Sequence, residues 1–398
     1  MTSQFQVFGI FEAYCNILES SHLFGKCPFT WDKKRGELYL DTLFFGYSFY
    51  WVKVIFSMIT YFIPGWVVVI RYFCNQTGVT NWEDNIPLNV IGVNVAMLTV
   101  VTCLVLVFAP LVIFWNKYGI LVQRQTFEVF ETLIADCNPV QQGQQVTVKI
   151  HSIASSIFRM YRNCPYLAAL SCLIFSQEPA YFILLQLGIS PLHPLVVLLR
   201  AAALVATAAE VGRLIALLAG LILFFINATW RQLHMWGAIC DRKIHVGLYF
   251  YRQLIALYIL RRGPATFMTT VAITIGFALQ VSFNYASIVL AGLVPLNAYV
   301  SIPYVAFASG VTMAVIVYFL AEVNSICKTR LDLMKRKCAM KNIKNRRKEL
   351  LKKIRAMPIL AFHVSLCNTT SPITRHFKMT YLDKVLDSTA SLVMGFPI

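Results

Sequence analysis

Three ionisable residues, Glu178, Glu210 and Arg213, stand inside runs of apolar residues long enough to cross a bilayer. An ionised side chain at the bilayer centre costs about 2.5–3.5 kcal/mol on insertion scales, so such a group faces a partner or a water-filled cavity. Glu210 and Arg213 are three residues apart, a spacing that shares one helix face. They form either an ion pair that anchors a helix bundle or part of the lining of a polar cavity. Glu178 has no cation in its own apolar run, and Pro179 follows it. It either holds a proton or pairs with Arg200 or Arg213 across helices. The proline opens the preceding helical turn and frees backbone carbonyls there.

No catalytic pattern accompanies these charges. The chain has no GxSxG, HExxH or P-loop, and no GxGxxG after a strand. The histidines are scattered without metal-ligand spacing, and the 11 cysteines contain no CxxC. No enzyme activity, cofactor or metal is expected. Asp241-Arg242 invites comparison with a G-protein-coupled receptor motif, but it follows the fourth apolar run rather than the third.

The elements that must hold these residues are membrane helices. Hydrophobic residues make up 58% of the 398 and charged residues 13%, about half the usual charged share of a soluble domain. A span needs about 20 mostly apolar residues, and six segments qualify: 52–73, 90–115, 165–187, 196–227, 266–292 and 299–321. The last two share the 59 uncharged residues from Gly263 to Ala321, divided by Pro295 and Pro303. The sequence thus reads as one all-α, polytopic transmembrane helical bundle, 1–398. It has six clear helices, a basic cytosolic segment at 322–377 and a partial seventh helix at 378–398. No Lys or Arg precedes Lys26, and Glu12 interrupts the first apolar stretch. The start does not read as a cleavable signal, and targeting falls to an internal span.

Charge sets the expected orientation. With the N-terminus in the cytosol, the inner loops 116–164, 228–265 and 322 onward carry five, six and at least 13 Lys/Arg, and the outer loops carry none. This is the positive-inside pattern. Of the net charge of +17, +10 lies in residues 322–356. That excess is the cytosolic exit of the sixth helix and suits anionic headgroups, so the partner is the lipid bilayer and not nucleic acid. Leu331, Met334, Cys338, Leu350, Leu351 and Ile354 give this tract an apolar helical face, and residues 120–137 also read as helical.

The same orientation gathers polar and aromatic side chains in the outer halves of the helices. These are Asn94, then Gln177, Glu178, Tyr181, Phe182 and Gln186, then Arg200, then Gln280, Phe283 and Asn284, then Tyr304 and Phe307. Aromatic walls with sparse polar groups suit a small-molecule pocket, to which Glu210 and Arg213 add their charges.

Length, the N-in pattern, "CPFTWDKKRGELYL" at 27–40, the long inner loops and "FKMTYLDKVLDSTASLVMGF" at 377–396 together resemble the arthropod gustatory and odorant receptor superfamily. The resemblance implies a multi-pass plasma-membrane chemoreceptor, a homo- or hetero-tetrameric ligand-gated cation channel that senses small molecules. That family's last helix carries a Thr-Tyr and a terminal Gln-Phe and lines the pore. Here the sequence reads Gly395-Phe396-Pro397-Ile398 where that half should begin, so no pore residue carries over. A secondary transporter using Glu178, Glu210 and Arg213, or a non-conducting accessory or truncated membrane protein, is the alternative.

The sequon Asn75-Gln76-Thr77 falls in the first outer loop, and Asn368-Thr369-Thr370 on the inner side. An endoglycosidase mobility shift is expected to disappear in Asn75→Gln. A shift that survives Asn75→Gln and is lost in Asn368→Gln reverses the orientation.

Overall fold

The computed structural model describes residues 9–20, 29–32, 37–40, 48–76, 91, 98, 142–175, 178–242, 244–289, 291, 299–339, 344–366 and 369–395. Its elements in chain order are α1 (Gly9–Tyr14), β1 (Phe29–Asp32), β2 (Glu37–Leu40), α2 (Ser48–Ser57), α3 (Ile63–Gln76), α4 (Gln142–Phe175), α5 (Pro179–Gln186) and α6 (Pro194–Arg242). They continue with α7 (Ile244–Val289), α8 (Ser301–Ala339), α9 (Lys344–Arg355), β3 (His363–Leu366), β4 (Thr369–Pro372) and α10 (Arg375–Gly395). The fold is all-α apart from two small antiparallel hairpins, β1–β2 and β3–β4. Among the described residues, four helices are long and apolar enough to cross a membrane: Tyr50–Asn75, Pro194–Cys240, Arg262–Val289 and Ile302–Ala339. The second expected span, the helix at 120–137 and the sites Asn94 and Gln177 lie outside the described residues.

The first span is continuous through Pro64. Proline has no N–H to give the Thr60 carbonyl, and the ladder widens into a π-turn at Met58–Phe62 instead of breaking. Its outer face is a stripe of Val52, Ile55, Ile59, Ile63, Ile70 and Phe73, each at least half exposed. Large apolar side chains at helical spacing on a surface are what a lipid-facing helix presents. α6 is the opposite case. Of its most apolar stretch 78% is buried, against 28% for the first span. The other helices surround it: α4 makes the most extensive pairing with it, and α2, α7, α8 and α1 also pack on it. At the α4 crossing a Cβ on Gly220 would lie 3.1 Å from the Phe158 ring, so a larger residue there would press on that ring. This is the architecture of a helical membrane protein.

The expected inner loop at 228–265 is not a loop. α6 runs to Arg242 and α7 starts at Ile244, so both helices continue beyond their apolar windows. At about 1.5 Å per residue, the 49 residues of α6 are far longer than a bilayer core is thick. The end of α6 is stapled to the start of α7 by Trp236, whose indole donates to the Gly247 carbonyl at 2.9 Å and stacks on Tyr251 at 4.4 Å. Charge interrupts hydropathy in this region, but it does not interrupt helix propensity. The basic tract behaves as its periodicity predicts: Leu331, Met334, Cys338 and Ile354 are buried, and Leu350 and Leu351 pack against the core. α1 packs on α4 and on the distal half of α6, with Phe11 and Phe224 rings 5.0 Å apart. It therefore sits toward the end of the bundle where α6 turns into α7.

Residues 357–366 and 369–372 fold back onto α7 and α8. The Tyr251 hydroxyl donates to the Pro358 carbonyl at 2.6 Å, and the Leu360 N–H reaches Cys327 Sγ at 3.3 Å. The Tyr258 hydroxyl donates to the Ala361 carbonyl and lies 2.7 Å from His363 Nδ1. The Ser365 N–H donates to Thr270 Oγ1 at 2.9 Å.

Burial first, and then the Arg262 charge, push the His363 pKa below its ordinary 6.5. The fold holds this imidazole neutral while the unfolded chain takes a proton near 6.5, so its contribution is complete above that pH and is lost as pH falls below it. Hydrogen exchange across 363–372, corrected for intrinsic rates, should rise between about pH 7.5 and about pH 5.5. The rise should vanish in His363→Gln. The same rise in that variant would contradict the assignment.

Candidate functional site

Pro179 decides the geometry at Glu178. A residue before proline is pushed out of the α region, and Glu178 is extended, with φ −75° and ψ 145°, as the N-cap of α5. The break lets the buried carboxylate meet buried Arg200 of α6 in a direct ion pair. The Arg200 Nη1 also donates to the Pro191 carbonyl at 2.7 Å, and the guanidinium lies 5.0 Å from the Tyr181 ring centroid. Of the two cations that sequence allows for Glu178, Arg200 is the partner. α5 then closes at Gly188, φ 69°, where the Ile189 N–H returns to the Leu184 carbonyl at 3.0 Å. Only a residue tolerant of positive φ closes a helix this way. Phe182 packs with Val68, Ile91 and Tyr72.

Ten residues along α6, about 15 Å by helical rise, lies the second charged group. Glu210 pairs with Lys53 of α2, and Arg213 Nε stands 3.5 Å from the other carboxylate oxygen. Arg213 lies over the Tyr50 ring at 5.8 Å. The expected Glu210–Arg213 contact exists, but Glu210 also has a partner across helices, Lys53, at the edge of the first expected span. Lys53 lies three residues into the Tyr50–Asn75 span. The pair therefore sets Glu210 and Arg213 level with the start of that span rather than its midpoint.

The third feature is an open cleft of about 520 Å³ between α7 and α8. Gln280, Asn284 and Ser287 line its α7 edge, and Phe307 with Pro303, Ala306 and Gly310 lines the α8 edge. One end is tied by the Tyr299 hydroxyl, which donates to the Ser287 carbonyl at 2.6 Å. Three of the expected ligand residues meet here. Two others, Phe283 and Tyr304, turn instead toward the core. Gln280 has a second role that sequence reading missed: its Oε1 accepts the Tyr381 hydroxyl of α10 at 3.2 Å. The Tyr381 ring stands edge-on to Phe277 at 6.2 Å. One amide thus faces the cleft and holds the last helix. Asn75 lies in the last turn of α3. The two ion pairs and the cleft are separate sites.

Breaking a buried ion pair by removing one partner costs on the order of 3–5 kcal/mol, because a charge is left uncompensated. Arg200→Met should therefore lower the thermal stability of the purified protein sharply. Adding Glu178→Gln should restore part of the loss, since the carboxylate no longer needs a cation. Strictly additive effects of the two substitutions would show that they do not interact.

No protein-family model matches the chain, and no curated protein is similar to it.

Proposed function

We propose that this chain is a multi-pass plasma-membrane receptor for small molecules, of the ligand-gated cation-channel kind that the resemblance to arthropod gustatory and odorant receptors implies. Its N-terminus lies in the cytosol, and it crosses the membrane six times with a further partial helix. The observation that carries this reading is the shared amide of Gln280. A ligand in the α7–α8 cleft acts on a group that also fixes α10. If the cleft-occupied state favours a different position of α10, the ligand shifts the population by its differential affinity for the two states. The position of α1, toward the basic end of the bundle, supports the cytosolic N-terminus.

The transporter reading needs an intramembrane carboxylate free to take a coupling ion. Glu178 and Glu210 each face a cation, Arg200 and Lys53 respectively. Paired charges of this kind fix helices rather than shuttle ions, which favours the receptor.

Voltage-clamp recording in heterologous cells against a panel of neutral and charged small molecules tests the proposal. A saturable, ligand-gated cation current is expected. Tyr381→Phe removes one hydrogen bond that holds the resting arrangement, worth about 1 kcal/mol. It should lower the half-maximal concentration by about fivefold. Saturable uptake without conductance would replace the receptor with a transporter, and silence in both assays would leave an accessory protein.

A further inference from the structure

We propose that the cleft between α7 and α8 is a lateral binding site for uncharged amphiphiles that enter from the bilayer. This inference deepens the receptor reading and rests on it for the role of the site. Binding itself is a separate matter.

Every described residue that lines the cleft belongs to the uncharged run from Gly263 to Ala321. An ionic ligand would find no counter-charge there and would lie desolvated among apolar walls. Phe307 is 65% exposed at the mouth, and the lining falls within the spans Arg262–Val289 and Ile302–Ala339. The mouth therefore opens to lipid rather than water.

Among the described residues, the polar side chains lie on one edge. Gln280, Asn284 and Ser287 follow one another at spacings of four and three residues, so they share one face of α7. Two of their groups are already used: the Ser287 hydroxyl donates to the Phe283 carbonyl at 2.7 Å, and Gln280 Oε1 accepts Tyr381. The Gln280 Nε2 donor and the Asn284 amide remain for a ligand. A Cβ at Gly310 would lie 3.1 Å from Gln280 Nε2, so glycine leaves that donor room. A long apolar body ending in one carbonyl, ether or hydroxyl group matches this pattern.

The test uses the full chain in lipid nanodiscs and a medium-chain ketone that carries a diazirine. Its carboxylate and ammonium counterparts of equal length serve as comparison probes. On irradiation the ketone should label residues 280–287 and 303–314, and excess unlabelled ketone should remove the label. The charged probes should label these segments at least about tenfold less. Ala306→Phe, which fills the cleft, should abolish labelling. Asn284→Leu should weaken competition by the ketone about fivefold, the worth of one hydrogen bond. If one variant fails to fold, the other, together with competition in the unaltered chain, decides.

Equal labelling by the charged probes overturns the proposal. So does labelling spread evenly onto the lipid-facing stripe Ile55–Ile70, or cross-linking between two copies across the cleft in place of ketone. Labelling needs no current. A chain that binds the ketone yet stays electrically silent keeps the cleft and loses the receptor reading. Ligand-gated current without labelling does the reverse.

Discussion

A helix surrounded by other helices inside a bilayer cannot send its charged side chains to water. α6 is in that position, and it carries Arg200, Glu210 and Arg213, all buried. Each must be met by protein. The chain answers with Glu178, delivered by the break before Pro179, and with Lys53, delivered by the first span. The desolvation of such charges is severe, and the attraction between them offsets it only when both partners are in place. The two pairs therefore fix how α2 and α5 dock along α6. They act at two levels, about 15 Å apart by helical rise.

With the α6 side of the bundle fixed in this way, the opposite side has freedom to do something else. α7 and α8 meet α10 through apolar packing of Tyr381 and Val385 and a few polar contacts: Gln280 to Tyr381, Lys378 over the Tyr318 ring at 5.4 Å, and the exposed Arg375–Glu322 pair at 3.2 Å. Exposed ion pairs are worth about 0–1 kcal/mol, and one neutral hydrogen bond about 1 kcal/mol. Contacts of that size can be exchanged for a ligand. The buried pairs on α6 cannot be exchanged so cheaply. The molecule thus divides into an axis held by buried charge and a side whose polar contacts are weaker.

The sequence carried much of this in its periodicity and little of it in its pairings. The apolar face of the basic tract was legible because Leu331, Met334, Cys338 and Ile354 keep helical spacing through a run of cations. Gln280 and Asn284 stood out because polar groups are rare in the uncharged run, and both line the cleft. Lys53 did not, since a lysine at the edge of a span looks like an interfacial anchor until its partner is seen. The continuation of α6 and α7 through 228–265 was hidden because hydropathy reports the solvent and not the backbone. The hairpins at 29–40 and 363–372 were hidden because four-residue strands are too short to show alternation. No single sequence states that Tyr381 and Gln280, 101 positions apart, share a hydrogen bond.

The central physical claim is that α6 forms the protein-covered axis of a lipid-embedded bundle, with the first span on its perimeter. Spin labels at Ile59 and Leu217, read in nanodiscs against lipid-soluble oxygen and a water-soluble nickel chelate, test it most directly. Ile59 should collide freely with oxygen and not with the chelate, while Leu217 should be shielded from both. A Leu217 label as open to oxygen as Ile59, or an Ile59 label open to the chelate, would contradict the account.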